Sequence, residues 1–566
     1  MDLHWGQFCP YTLNRGFHTV DRRRLLGSGY GRSSTIVMLS MTKFIGWLRG
    51  RVIFGAIAAA VLLLGTAWAQ EEAQYGGTLT VGYHIQLAAG LDEMATTDVR
   101  TEIAQMVFQP LITYNEAAEP SPVLAESWQV SDDNLTWTFN LQQGVTFHDG
   151  TSMTASDVEA SFNRFMSMGG RRGEFARVED WRAVDDHTFE IVLSTPWPAL
   201  AEGLGMPSAG FVVLPTRVVD KYGDEWIPIE AMEDNVGTGP YMLVSVDRER
   251  EYVFERFDNY VSPEGEPSGL AGARHAYVDR IVLLPIPEDA TRSAALFAGE
   301  VDLTTEHPTE DLDRLNVDPN TQASPALPGL RVYLKLNLFD GPFTDPVLRR
   351  ALRAALDHEQ IMAAQGPAEL WRVNPTPRFQ EPQWMWDPLP YEYYRNDLEL
   401  ARYLVEQSDY DGRVIRFMHN LDWENPLRTG PVVQEIMRDI GLNVELIQVD
   451  TATFFSLWTD FTEWDIKSSA GGSVVTTAYL DAASRTRDGQ RWPGWYPEWD
   501  YYNDVVQENP DLDARKNAIR EMYRISMEMA AEFYLGEVSV LFAGRDYVRN
   551  LPSWPKANFW NVWLNQ

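Results

Sequence analysis

The chain is 566 residues long and carries 81 acidic against 47 basic side chains, a formal charge of −34. Such a field repels nucleic acid and anionic membrane surfaces, which excludes both as partners. With 45% hydrophobic residues the acidity is no mark of disorder, and the length allows two or three domains with sizeable cores.

The N-terminal region has the layout of an export signal. Lys43, Arg49 and Arg51 form a positive start, Val52 to Leu64 an apolar stretch, and Ala67-Trp68-Ala69 a small-x-small cleavage site before Gln70. The apolar run falls short of the roughly 20 residues that span a bilayer, so cleavage is favoured over a retained anchor. Met41 would open that signal, and residues 1–40 read as a leader ahead of the true start. Arg22-Arg23-Arg24-Leu25-Leu26 only hints at a twin-arginine motif, because no apolar stretch follows it directly. The one cysteine, Cys9, lies in this leader, so the rest of the chain holds no disulfide, thiolate nucleophile or lipid-anchoring cysteine. A free periplasmic protein is the expectation. Beyond residue 69 the only lysines are Lys221, Lys335, Lys467, Lys516 and Lys556. An acidic, lysine-poor surface suits work in high salt and equally an ordinary acidic exported protein.

Leu79 to Tyr83 predicts a first strand and Arg100 to Phe108 an amphipathic helix. Leu135 to Leu141 alternates apolar and polar residues at the period of a half-buried strand. Gly144 and His148-Asp149-Gly150 supply turn chemistry, Thr154 with Asp157 approximates a capping box, and Val158, Phe162 and Phe165 share a helical face. Val236-Gly237-Thr238-Gly239-Pro240-Tyr241 lacks the Lys-Ser/Thr of a phosphate loop and reads as a structural turn. Arg331 to Asn337 is strand-like. Asp345-Pro346 then caps a helix whose apolar stripe is Val347, Leu348, Ala351, Leu352, Ala355 and Leu356. Val432 to Ile440 predicts a helix ended by Gly441, and Asn443 to Ile447 a strand, the β-α-β texture of an α/β fold. Ala514 to Ala531 predicts a long helix, and Phe533 to Phe542 is again strand-rich. The cluster Trp492 to Trp499 contains Pro493, Gly494 and Pro497, which argue against a regular helix and put large rings on an irregular segment that can stack on a ligand.

The nine histidines form no H-x-x-x-H or H-E-x-x-H pair and no G-x-S-x-G elbow is present, so zinc and serine hydrolase chemistry lack support. No catalytic residue, cofactor or metal is expected.

The stretch Pro122 to Phe165 carries a P-x-L-A-E-S-W opening, a W-x-F-x-L strand and an F-H-D-G-x-x-x-T-A-x-D-V run. At these spacings it resembles the family 5 extracellular solute-binding proteins, the peptide, nickel and oligosaccharide receptors of ABC importers. The resemblance extends over essentially the whole chain after the signal, including the Val236 to Tyr241 turn and the D-x-x-x-R-x-A-L helix from Asp345. It implies an α/β, two-lobed periplasmic-binding-protein (Venus-flytrap) fold of the large peptide-receptor type with a two-stranded hinge. The expected division is a first lobe of residues 70–332 plus 541–566, with an extra subdomain, and a second lobe of residues 333–540, after a leader (1–40) and signal (41–69).

The same resemblance implies ligand contacts from Tyr83-His84-Ile85-Gln86 after the first strand. It also implies contacts from Gly471, Gly472 and Ser473 after the Trp464-Asp465-Ile466 strand, where glycine lets backbone approach a ligand closely. Trp492 and Trp495 join them as candidate stacking rings. Peptide receptors of the family commonly place an Asp shortly after that glycine, yet here no acid follows until Asp481. A free peptide amine therefore needs another carboxylate, with Asp465 and Asp481 as candidates. The reading is a monomeric receptor, not an enzyme, that captures a peptide-like solute and delivers it to an inner-membrane ABC permease. An oligosaccharide is the alternative ligand; an opine or metal-chelate receptor and a secreted hydrolase stand behind it.

Overall fold

The computed structural model describes residues 72–565 apart from 86, 88–89, 95–100, 208–209, 376–395, 423, 459, 472–496, 531 and 555–557. The expected leader and signal, Gln86, Gly472, Ser473, Asp481, Trp492 and Trp495 lie outside the described residues.

The chain opens with β1 (Thr78–Tyr83) and the helix α1 (Thr101–Val107). Strands β2 (Ala125–Val130) and β3 (Thr136–Leu141), helix α2 (Ala155–Met168), then β4 (Val178–Asp185) and β5 (Thr188–Leu193) follow, the strands forming their own antiparallel sheet in the order β2-β3-β5-β4. The alternation predicted for β3 holds, with Trp137, Phe139 and Leu141 buried. Helix α2 opens on the predicted capping box, Asp157 accepting from the Thr154 amide at 2.9 Å. It lays Val158, Phe162 and Phe165 into the core, the Phe162 ring 5.2 Å from Trp181 and 5.9 Å from Phe189.

A second, larger sheet takes β1 together with β6 (Tyr241–Asp247), β7 (Glu251–Arg256), β8 (Arg280–Pro285) and, past helix α3 (Asp289–Ala298), β9 (Leu303–Thr304). Strand β10 (Thr321–Leu336), helix α4 (Pro346–Ala355), β11 (Trp371–Val373), helix α5 (Leu398–Gln407) and β12 (Ile415–Asn420) come next. Helix α6 (Glu424–Asp439), β13 (Val444–Val449), α7 (Thr451–Ser456), β14 (Ile466–Gly471), α8 (Pro497–Glu508), α9 (Leu512–Met529) and β15 (Glu532–Arg545) complete the framework. The large sheet runs β13-β12-β14-β10-β15-β9-β1-β8-β7-β6, with β11 also beside β15.

Its two long central strands divide it into two lobes. Thr321 to Ala326 of β10 pair with the C-terminal end of β15, which also carries β9. Leu330 to Lys335 pair with the N-terminal end of β15, and there β14 joins through Arg331 to Leu336. Between the halves the register shifts, from Ala326 opposite Val540 to Leu330 opposite Val538. Gly329 sits at the shift because a Cβ there would stand 2.5 Å from both the Val538 carbonyl and the Val540 amide.

Two predicted boundaries move. Helix α6 starts at Glu424 rather than Val432, running through Gly430 and Pro431, which read locally as breakers. Gly430 is required there because a Cβ would come within 2.6 Å of the His419 ring beneath it. Helix α8 starts at Pro497, so Trp499, expected on an irregular segment, is helical and buried; proline is compatible with a first helical turn, whose amide has no helical partner.

Two motifs that sequence reading left as separate turns hold each other. The Gly237 amide, which can only donate, meets His148 Nδ1 at 3.3 Å, so the ring proton sits on Nε2 and is donated to the Gly239 carbonyl at 2.9 Å. A Cβ on Gly237 or Gly239 would strike the Val107 or Met106 carbonyl at 2.0 and 2.3 Å, which is why this turn is glycine-rich. Burial pushes the His148 pKa down to about 4. The unfolded chain therefore takes up this proton first as pH falls, so the contribution is complete above pH ~6.5 and lost towards pH 4. Replacing His148 with Gln should lower stability at pH 7 yet remove roughly 3 kcal/mol of the acid-induced loss between pH 7 and 4, read by thermal unfolding across that range. An identical pH slope in both proteins would contradict the assignment.

Candidate functional site

Ligands of open α/β sheets bind beyond the carboxyl ends of parallel strands, where the loops diverge. Both lobes place such ends against one cavity. In the first lobe β1 runs parallel to β8 and β9, and the residues just past these strands, His84, Pro287 with Asp289, and Glu306, line it. In the second lobe β12 runs parallel to β14; Asp422, past β12, and Ala470 and Gly471, ending β14, line the opposite side. The floor is the register shift itself, with Leu330 and Val538 to Leu541. The cavity measures about 470 Å³, within the range of small-solute sites.

The first-lobe wall is assembled around Arg292 of α3, which is 1% exposed. Its Nη1 donates to the Ile286 and Pro287 carbonyls at 2.9 and 3.2 Å, and its Nη2 to Asp289 Oδ1 and the Glu306 carbonyl at 2.6 and 2.5 Å. One guanidinium thus ties the loop after β8 to the loop after β9. Glu306 is held at φ +43°, a conformation non-glycine residues rarely adopt, and its carboxylate lies 3.3 Å from His84 Nε2. His84 Nδ1 lies 2.9 Å from the Thr305 hydroxyl. Behind this wall His307 meets Thr304 at 2.8 Å and Asp311 at 3.2 Å, and burial, partly opposed by Asp311, lowers its pKa to about 4.

On the second-lobe wall Asp422 Oδ2 accepts from the amide and hydroxyl of Thr451 at 2.8 and 2.9 Å, fixing the start of α7. Asn425, in the first turn of α6, donates to Gln365 Oε1 at 3.1 Å, and both line the cavity. Gly471 has φ +149°, and the space where its side chain would stand is open. Two buried hydroxyls on the cavity lining, Ser539 Oγ and Thr309 Oγ1, have no partner among the described residues. Buried polar groups are normally paired, so these two are suited to a bound molecule.

The structure brings His84 and Gly471, expected from two distant segments, to one cavity. Tyr83 is 1% exposed and stands behind His84, ring centroids 4.8 Å apart, rather than on the lining: strand alternation turns its side chain into the core. Asp465 is not a cleft carboxylate. It is 2% exposed and is consumed by Arg416, accepting from its amide at 2.7 Å, Nε at 3.1 Å and Nη2 at 2.9 Å. The carboxylates that do line the cavity, Asp289, Glu306 and Asp422, were not singled out from sequence, because in so acidic a chain a carboxylate carries no local signal. Their shared mark, a place just past a parallel strand, emerges only with the sheet order.

A family model described as bacterial extracellular solute-binding proteins, family 5 (middle) matches residues 119–486, more than half of the chain. The chain belongs to that family. Family 5 proteins are solute-binding receptors. This member is 28% identical over 506 residues to a probable peptide ABC transporter periplasmic-binding protein, y4tO, of Sinorhizobium fredii, covering 85% of this chain and 92% of that one. It is 27% identical to the glutathione-binding protein GsiB of Pectobacterium atrosepticum, over 71% of this chain and 74% of the relative. Among solved structures, the periplasmic binding protein DppA of Helicobacter pylori in complex with the peptide STSA superposes with a TM-score of 0.70 at 19% identity, over 87% of this chain and 99% of that one. The likeness of fold is that of the two-lobed binding proteins.

The two kinds of carboxylate in this family 5 protein should separate by mutation. Asp465→Asn unmakes a buried ion pair and should cost about 2–3 kcal/mol, read in denaturant unfolding. Glu306→Gln, on a half-exposed side chain, should stay within about 0.5 kcal/mol of the parent. Equal losses would contradict the division into structural and cavity acids.

Proposed function

We propose that the protein is the periplasmic solute-capturing subunit of an ABC importer, and that its cleft takes a peptide-like solute with a free amine. The observation that carries this reading is the charge of the cavity. Asp289, Glu306 and Asp422 line it against Arg292 and His84, and the Arg292 charge is already engaged by Asp289. An ammonium entering a dry cleft needs a carboxylate partner, and this lining offers it from both lobes. The hydroxyls of Ser539 and Thr309 supply polar contacts, and Gly471 lets peptide backbone approach β14. Gly472, Ser473, Trp492 and Trp495 belong to the same proposal as continuing contacts, with Tyr83 supporting His84.

In this reading residues 70–332 plus 541–566 move as one lobe and 333–540 as the other, about the β10–β15 pair. Ligand bridging the lobes favours the closed form because only that form offers both sets of contacts. The closed monomer then presents the solute to a permease in the inner membrane. The names of the relatives, one for peptides and one for glutathione, support this ligand class.

Calorimetric titration tests the charge argument. Free short peptides should bind at least tenfold more tightly than their N-acetylated forms, and Glu306→Gln with Asp422→Asn should erase the difference. Equal affinity for both forms would remove the amine from the proposal, and saturable binding of an oligosaccharide alone would replace the ligand class. Small-angle scattering should show a smaller radius at saturation; an unchanged radius would count against closure.

A further inference from the structure

Away from the cavity, Arg274 is 1% exposed yet has no carboxylate partner among the described residues. Its Nη2 donates to the Leu270 carbonyl at 2.8 Å, and its guanidinium lies over the Trp560 ring, 4.5 Å from the centroid. Nε and Nη1 have no acceptor among the described residues. The aromatic face recovers part of the cost of burying the cation but satisfies neither N–H group.

Tyr260 adds a third donor. The Thr238 hydroxyl donates to Gln109 Oε1 at 2.9 Å, and the Gln109 amide donates to the Tyr260 hydroxyl at 3.0 Å. That polarity makes the phenol oxygen an acceptor from Gln109 and leaves its own proton to point elsewhere. Burial raises the Tyr260 pKa to about 12, so the proton stays on, and its segment meets that of Arg274 where the Arg274 amide donates to Ser262 Oγ at 2.8 Å. Leu270 and Trp560, which meet Arg274, are buried, and Tyr260 is partly buried.

We propose that Arg274 and Tyr260 form a buried site for one small monovalent anion of halide size, bound by the Arg274 Nε–H and Nη1–H and the Tyr260 O–H. A neutral water accepts two such bonds but leaves the buried charge uncompensated, whereas a halide accepts all three and supplies the counter-charge. The net negative charge of the chain disfavours loose anion binding, so occupancy would rest on this local donor set. The site is structural. It joins the loop ending at Arg274 to the C-terminal segment, which is otherwise held there by Asn561, donating to the Ala273 carbonyl at 2.9 Å and accepting from the His275 amide at 2.6 Å.

The test uses the full chain at fixed sodium and ionic strength, with chloride exchanged for gluconate. Chloride should raise Tm saturably by about 2 °C or more. Tyr260→Phe should weaken the apparent chloride affinity several-fold, and Arg274→Met should abolish the chloride dependence. Should Arg274→Met fail to fold, Tyr260→Phe and a bromide-grown crystal decide, with an anomalous peak expected beside Arg274 Nη1. Identical melting in both salts, an unshifted affinity in Tyr260→Phe, or water alone at that position would overturn the proposal.

Discussion

The pairing of β10 with β15 is the constraint on which the rest of the molecule depends. Both strands run the width of the sheet, and each contributes one half to either lobe. A ladder of that length is stiff where it is regular, and here it is irregular at two places, between Ala326 and Leu330 and between Val332 and Tyr333. The first of these lies between the two halves of the ladder and leaves Leu330 and the stretch Val538 to Leu541 facing the cavity. The position where the lobes join and the floor of the site are therefore the same residues. Any change in the angle between the lobes must alter the site, and any ligand that fills the site bears on that angle.

Around this floor the walls repeat one device. Each lobe is an α/β unit whose parallel strands end at the cavity, so the loops after them and the first helical turns carry polar groups to it. Such loops need fastening, and the fastening is different on the two sides. Arg292 gathers the carbonyls of two loops in the first lobe, whereas Asp422 accepts from the amide of Thr451, the first residue of α7, in the second. In the first lobe the result is a strained glutamate pointing its charge at His84; in the second it is a glycine with open space beside it.

Buried cations in this acidic chain are carried by aromatic rings as much as by carboxylates. Lys467, on β14, has its ammonium 3.8 Å from the Trp458 centroid and 4.1 Å from that of Trp464, and donates to the Trp458 carbonyl at 3.1 Å. Burial, with Lys335 beside it, pushes its pKa down to about 6, and Glu532 opposes that shift. The rings favour the charged form. Arg274 over Trp560 follows the same pattern. Part of the large tryptophan content thus serves the interior electrostatics rather than ligand stacking.

The elements with a local cause were legible in the sequence. The alternation of β3, the Thr154–Asp157 cap of α2 and the Asp345-Pro346 start of α4 each depend on residues within a few positions of one another, so periodicity and capping chemistry suffice to place them. The motif spacing carried the family for the same reason, and it brought His84 and Gly471 with it. What tertiary structure alone decided depends on strands far apart in sequence. Gly430 and Pro431 are tolerated in α6, where His419 on a neighbouring strand demands the glycine. Asp465 is spent on Arg416, while Asp289, Glu306 and Asp422 reach the cavity because of where parallel strands end. A carboxylate looks the same in sequence whether it closes an ion pair or faces a ligand; only the order of the strands distinguishes the two.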